Sequence, residues 1–265
     1  MKFITSPVIS RHRFTRHAFL TRIGGTSTGP FASLNFSERN GDSSSHVEKN
    51  RATAGRFLGF DTAKLFTVHQ VHGDRVLVVD NHTDIRSLLQ RREKPMADAI
   101  ITDQKGIAIG VLTADCVPII LADPVKKVVG IVHAGWKGTA DDICSKAVAS
   151  FHYYFGSTPD EISAAIGPSI GPCCYEVAEK TARLFFATPF QGKDILVTSG
   201  AGRWKLDLRK ANRTQLVKNG VKEGNISVSN LCTSCSTDLF FSHRREGSPT
   251  GRQLSFVLMD TTGEE

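Results

Sequence analysis

Short apolar runs separated by polar turns dominate this chain, and long amphipathic stretches are few. Runs at 18–21, 75–79, 98–101, 106–112, 118–122, 128–132, 161–166, 226–229 and 254–258 predict strands. Helical periodicity is clearest over 137–155, where Ile143, Ala147, Val148, Phe151 and Phe155 share one face. Segments 176–187 and 208–219 are the next helices. Several strands follow one another with no helix between them, which rules out a simple alternating parallel sheet. The pattern predicts an α/β or α+β fold of mixed sheets with outer helices. The Ser43-Ser44-Ser45 run is too short to separate domains, so one domain over residues 1–265 is expected.

Composition narrows this picture. Hydrophobic residues make up 40% and charged residues 22%, as in a globular chain with a sizeable core. The longest apolar stretch is broken by Asp115 and Asp123, so no membrane span is expected. The first residues lack an apolar segment of signal-peptide length, and a cytoplasmic location is expected. The net charge of +7 raises nucleic-acid binding, but the basic residues are spread along the chain, with modest clusters at 11–16, 90–94 and 244–245. No helix-turn-helix, finger or RNA-binding motif accompanies them, so small anions are the more economical partners.

Candidate chemistry concentrates where apolar runs end. Thr113-Ala114-Asp115-Cys116-Val117-Pro118 and Val132-His133-Ala134-Gly135-Trp136 each place a soft ligand or nucleophile at a strand end, and His69-Gln70-Val71-His72-Gly73 adds imidazoles. One thiolate with neutral imidazoles suits zinc, and three protein ligands leave a fourth position open, as catalytic sites do. The intervals between these residues are far longer than a zinc finger's local spacing, so the fold must assemble the site; Cys116 and His133 can meet only if their strands are neighbours. Each residue also has a plain alternative: a buried Cys packs as a small hydrophobe, and a His is satisfied by backbone.

Six cysteines without an export signal read as reduced thiols. Cys232-Thr-Ser-Cys235 lacks a second Cys-x-x-Cys and is read as structural, while the Cys173-Cys174 pair in a Gly/Pro loop is read as bringing a thiol to a pocket wall.

The chain resembles the YfiH/YlmD family, known as laccase-domain or multicopper polyphenol oxidase proteins and as purine nucleoside phosphorylases. The matching motifs run nearly end to end, among them Thr21-Arg22-Ile23-Gly24-Gly25, Ser33-Leu34-Asn35, Gln70-Val71-His72-Gly73, Ala97-Asp98-Ala99, Thr113-Ala114-Asp115-Cys116, His133-Ala134-Gly135-Trp136-Lys137-Gly138, Cys173-Cys174-Tyr175-Glu176 and Phe241-Ser242-His243-Arg244-Arg245. His243 departs from the family pattern, where Tyr is expected. The resemblance implies an α/β/β/α sandwich of mixed sheets and zinc on His72, Cys116 and His133. It implies phosphorolysis of adenosine, inosine, guanosine and methylthioadenosine, together with deamination of adenosine. Purine nucleosides and phosphate are then the partners.

Within that frame Cys116, Asp115 and Gln70 are catalytic candidates, and Arg22, Asn35 and Arg245 are candidates for substrate or phosphate binding. Arg22 before Gly24-Gly25 offers a guanidinium beside a backbone that an anion can approach closely; the alternative is a tight turn with Arg22 on the surface. Lys137 and Asp98 are minor candidates. Two rival chemistries remain: a metal-free cysteine hydrolase or deamidase in which His133 activates Cys116, and a copper-dependent polyphenol oxidase. Copper is compatible with two His and one Cys, but only Met96 and Met259 are internal methionines for a weak axial ligand, and the nine His contain no H-x-H. The zinc-deaminase signature is not met, because His46-Val47-Glu48 lies in a Ser-rich segment and Glu176 stands where a second Cys would follow Pro172-Cys173.

Overall fold

The computed structural model describes residues 1–91, 93–186, 190 and 194–260. Strands β1 (Phe3–Ile4) and β2 (Thr15–Leu20) flank helix α1 (Pro7–Ser10), and helix α2 (Ser44–Leu58) leads to β3 (Leu65–Thr67) and β4 (Val76–Val79). Helix α3 (Ile85–Gln90) precedes β5 (Ala99–Thr102), β6 (Ala108–Thr113), β7 (Val117–Asp123) and β8 (Val128–Ala134). Helices α4 (Trp136–Ala140) and α5 (Ile143–Phe155) then lead to β9 (Ser163–Ile166). Next come β10 (Glu176–Ala178), helix α6 (Glu179–Ala182) and the hairpin of β11 (Leu196–Gly200) and β12 (Arg203–Leu206). Helix α7 (Leu208–Lys218), β13 (Ile226–Val228), helix α8 (His243–Glu246) and β14 (Gln253–Met259) complete the described chain.

Two mixed sheets stack face to face. One has the order β1-β2-β14-β6-β3 and the other β13-β9-β7-β8-β5-β4, with β10-β12-β11 forming a small third sheet. The central strands are apolar throughout because both faces are covered, and the pleat sends alternate residues to different cores. In β7, Val117, Ile119 and Leu121 pack with Ile143, Ala147 and Phe151 of α5, while Ile120 and Ala122 face the other sheet. In β14, Leu254, Phe256 and Leu258 pack with Ala54 of α2, while Val257 and Met259 enter the core between the sheets. The expected α/β/β/α sandwich is the observed one. A Cβ at Gly130 of β8 would stand 2.8 Å from the Phe151 ring, so this strand residue has no side chain because α5 lies directly on it.

All nine expected strands form. The helix expected over 137–155 is split between α4 and α5, because Asp142 is left-handed with φ +64. The helix expected over 176–187 begins as strand β10: the 203–206 strand offers a partner ladder, and Val177 turns into the core while Glu176 and Ala178 stay exposed. Its last residue, Ala187, lies outside the described residues, as does Arg92 of the 90–94 basic cluster. Helix α2 is not among the helices the periodicity predicts, and the Ser-rich segment with His46-Val47-Glu48 lies on it. Its composition is largely polar, and only Val47, Asn50, Ala54 and Gly55 are buried, too narrow a stripe to be conspicuous. Among the described residues no helix is long and apolar enough to cross a membrane.

Candidate active site

Two of the crossings between the large sheets meet at one rim of the sandwich. Residues 114–116 carry the chain from β6 to β7, and residues 68–75 carry it from β3 to β4. Cys116 sits on the first crossing and His72 on the second. His133 arrives from β8, paired with β7 in the register Pro118↔His133 and Val117↔Ala134, which places it beside the Cys116 end of β7. The expected meeting of Cys116 and His133 therefore occurs through antiparallel neighbours. Both crossings are tight, with Asp115 at φ +94 and His72 at φ +58, a region non-glycine residues seldom occupy.

The donor atoms of His72, Cys116 and His133 all lie within 4.8 Å of one another. The two imidazoles are nearly perpendicular, at 86° with centroids 4.8 Å apart. Asp98, fully buried just before β5, organises them. Its carboxylate accepts from the backbone N–H groups of Val71 (3.2 Å), His72 (3.0 Å) and Gly73 (2.8 Å), and its Oδ1 lies 2.8 Å from His133 Nδ1. That partner fixes Nδ1 and leaves Nε2 of His133 as the ligand nitrogen. Asp98 is only a minor candidate in the sequence, where nothing local marks its reach to both the 71–73 loop and His133 of β8. Gly135 floors the site: a Cβ there would come within 3.3 Å of both Cys116 Sγ and the His72 ring. Gly138 plays a similar part, since its Cβ would stand 2.4 Å from the Gly73 carbonyl.

Burial opposes charge on both Cys116 and His133. Even so, the charge of His133 and hydrogen bonds from His133 and His72 pull the Cys116 thiol well below its ordinary range. The Cys116 charge and the Asp98 hydrogen bond push His133 up. The pair favours a thiolate beside an imidazolium. A divalent cation competes for the same thiolate and takes the place of the imidazolium proton. One thiolate and two imidazoles, one of them oriented by a carboxylate, fit a metal with an open position.

These residues form one end of an open pocket of about 700 Å³. Trp136 and Tyr175 supply aromatic walls; Arg39, Arg51 and Lys94, opposed by Glu38, line one side, and Arg252 lies within reach of the Cys116 and Asp115 charges with its guanidinium donating to the Thr250 and Gly251 carbonyls. Arg51 pairs with Glu38 at 3.2 Å, and the Lys94 ammonium donates to Thr67 Oγ1. Burial, and then repulsion from Arg51 and Arg39 partly offset by Glu38, lowers the Lys94 pKa to about 8. An anion placed among these cations relieves that repulsion. None of the four carries a sequence motif, and Arg51 lies on the helix that the sequence pattern did not reveal.

The other candidates divide sharply. Asp115 lines the pocket, its Oδ1 accepting from Thr233 Oγ1 and its Oδ2 from the Arg244 N–H, both at 2.6 Å. Gln70 also lines it, but its amide is bound at both ends to the Leu112 backbone at 2.8 Å, which makes it a strut. Asn35 is fully buried, with all its hydrogen-bonding capacity used by Ser37, Asp42 and the Arg252 N–H. Arg22 donates to the Ala32 carbonyl, pairs with Glu246 at 2.6 Å and lies over the Phe241 ring. Arg245 donates to the carbonyls of Thr233, Ser234 and Phe240 and also pairs with Glu246. Neither Arg22, Asn35 nor Arg245 lines the pocket. The Gly24-Gly25 segment is a close-packed turn, since a Cβ on Gly25 would meet the Ser33 carbonyl at 2.2 Å. The guanidinium groups expected to bind an anion, Arg22 and Arg245, are engaged by carbonyls and Glu246, and the cations that line the pocket are Arg39, Arg51, Lys94, Arg244 and Arg252. His243 lines the pocket beside Arg244, and Lys137 does not line it.

Comparison with known proteins agrees with this geometry. Residues 16–260 match the family described as multi-copper polyphenol oxidoreductase laccase. The chain belongs to this family. Within the laccase-like family it is 38% identical to purine nucleoside phosphorylase YlmD of Geobacillus stearothermophilus, covering 89% of this chain and 87% of that one. It is 40% identical to adenosine deaminase RL5 from an unknown prokaryotic organism, covering 86% and 87%. The crystal structure of YfiH from Bacillus licheniformis superposes with a TM-score of 0.91 at 37% identity, over 97% of this chain and 99% of that one. Its laccase-like relatives with enzyme names make this chain an enzyme of the same kind.

Proposed function

We propose that the protein is a zinc-dependent purine nucleoside phosphorylase that accepts adenosine, inosine, guanosine and methylthioadenosine and also deaminates adenosine. The observation that carries the reading is a pocket with a two-His, one-Cys centre and a group of cations that Glu38 offsets only in part. Relatives named as a phosphorylase and as a deaminase support it. His72, Cys116 and His133 would hold the zinc, which would supply Lewis acidity to the substrate.

The protein's own groups do the remaining work. Arg39, Arg51 and Lys94 bind phosphate and hold it for attack on the ribose C1′, where the bond to the purine breaks. Trp136 and Tyr175 offer flat apolar surfaces to the base. Asp98 keeps His133 in one tautomer and orientation throughout. Asp115, restrained by Thr233 and the Arg244 N–H, presents a fixed carboxylate beside Cys116 and is the candidate to accept or return a proton. In deamination, water replaces phosphate as the nucleophile and attacks purine C6 with loss of ammonia.

A second reading has one observation in its favour: the Cys116 thiolate, His133 and Asp98 are arranged as a nucleophile, a base and its orienting carboxylate, as a metal-free cysteine hydrolase would need. His72 would then have no required role. Oxidase chemistry is less well served by the donor set, since Met96 is exposed and Met259 lies between the sheets, and neither lines the pocket. Metal analysis separates the readings. Cys116→Ala and His72→Ala should each lose the pocket metal and nucleoside turnover together, whereas full activity in His72→Ala would support the hydrolase.

A further inference from the structure

Outside the pocket, four cysteines distant in sequence converge. Cys173 and Cys174 lie in the turn after β9, and Cys232 and Cys235 in the turn after β13. Their four sulfurs all lie within 4.8 Å of one another, with Cys174 and Cys173 at 3.3 and 3.6 Å from Cys235. Those separations far exceed a disulfide bond of about 2.04 Å. They approach the edge of a tetrahedron of sulfurs around zinc, about 3.8 Å for Zn–S bonds near 2.3 Å.

The backbone is arranged around the sulfurs. Ser169 and Cys232 form a parallel bridge, and the Thr233 N–H donates to the Ser169 carbonyl at 3.1 Å. Cys174 N–H closes one turn on the Gly171 carbonyl, and Ser236 N–H closes the other on the Cys232 carbonyl. Gly171 donates its N–H to Cys232 Sγ at 3.2 Å. A Cβ on Gly171 would meet Cys173 Sγ at 3.2 Å and an Arg209 guanidinium nitrogen at 2.8 Å, so that cation stands close against the cluster. Neither turn suggests a metal site alone, because one offers adjacent cysteines and the other a lone Cys-x-x-Cys.

We propose that Cys173, Cys174, Cys232 and Cys235 form a second metal site, a closed tetrathiolate that holds one zinc for structure. Coordination displaces the thiol protons to solvent, and Arg209 offsets part of the resulting negative charge. The site joins the two loops that brace the pocket wall. Ile170 donates its N–H to the Asp115 carbonyl and Thr233 its hydroxyl to the Asp115 carboxylate, and Tyr175 follows Cys174 directly. A zinc here fixes the surroundings of Asp115 without touching substrate.

The test uses full-length Cys116→Ala, which lacks a pocket ligand, so its result does not depend on the proposed nucleoside chemistry. Titration of this variant with cobalt(II) should give one equivalent bound, with the intense thiolate-to-cobalt charge-transfer and tetrahedral visible bands of four sulfur ligands. Adding Cys235→Ser or, separately, Cys173→Ser should abolish or weaken those bands; both residues are exposed, so both variants should fold. Zinc analysis should find two equivalents in the unsubstituted protein and one in Cys235→Ser. Failure of Cys116→Ala to take up cobalt, bands unchanged in both Ser variants, or recovery of these cysteines as disulfide-linked peptides would overturn the proposal.

Discussion

At one end of the pocket Cys116 and His133 are set by the register of β7 against β8, and three backbone amides and His133 close on the single carboxylate of Asp98. At the other end Arg39, Arg51 and Lys94 come from a loop, from α2 and from the approach to β5. The first end is pre-organised by hydrogen bonds from three main-chain amides and one imidazole to a single, fully buried carboxylate. The second is a field of like charges held apart by Glu38, Thr67 and the pocket wall, and it gains stability when an anion arrives. Substitutions at the metal end should therefore act on metal occupancy and kcat, and those at the cation end on the phosphate KM.

The largest effect short of removing a ligand is expected for Asp98→Asn. It keeps the shape but turns one acceptor oxygen into an NH2 that must face either His133 Nδ1 and the His72 N–H or the Val71 and Gly73 N–H groups, and loss of such a partner costs about 10–100-fold in metal affinity or activity. Competition with a chelator measures it, and affinity unchanged from the parent would show that the Asp98 carboxylate does not set the metal affinity. At the cation end, Arg51→Ala should raise the phosphate KM by about 10-fold or more, since hydrogen bonds to charged groups contribute roughly 1.5–3 kcal/mol. Its metal content should stay intact, which is the sharp form of the contrast.

Lys94 adds a pH signature to that end. The lysine is cationic below its pKa of about 8 and neutral above it, so kcat/KM for phosphate should be level at lower pH and fall as pH rises through about 8. Lys94→Arg, which stays charged, should carry the plateau to higher pH. A fall at the same pH in both proteins would assign it to another group. The smallest catalytic effect is expected for Arg22→Ala: the phosphate KM should not move, while stability drops by about 1–3 kcal/mol because Glu246 and the Ala32 carbonyl lose their partner. Denaturant unfolding and steady-state kinetics on one preparation check both halves.

How much of this was legible in the sequence follows from the same contrast. Strands buried on both faces write themselves as continuous apolar runs, and residues at their ends inherit a fixed rim, so Cys116, His133 and His72 stood out. The left-handed break at Asp142 and the strand start of 176–187 depend on tertiary partners and were not readable. The cation wall joins residues from separate elements, with neither a motif nor a period to connect them. Arg22 and Arg245 attracted attention because they sit in conspicuous Gly-rich and Arg-rich motifs, yet those motifs serve packing around Glu246. The four-cysteine cluster was hidden for a similar reason, its halves being two turns that meet only through the Ser169–Cys232 bridge.

The central claim is that one pocket joins a zinc centre to a phosphate site for nucleoside cleavage. Its most direct test is an anaerobic assay of zinc-reconstituted protein with adenosine and inosine, with and without phosphate, reading adenine, inosine and hypoxanthine by chromatography. Adenine should form from adenosine and hypoxanthine from inosine only when phosphate is present, inosine should form from adenosine whether or not it is present, and dioxygen should not be needed, because zinc has no accessible redox change. Turnover that requires dioxygen, or no base released from either nucleoside, would contradict it.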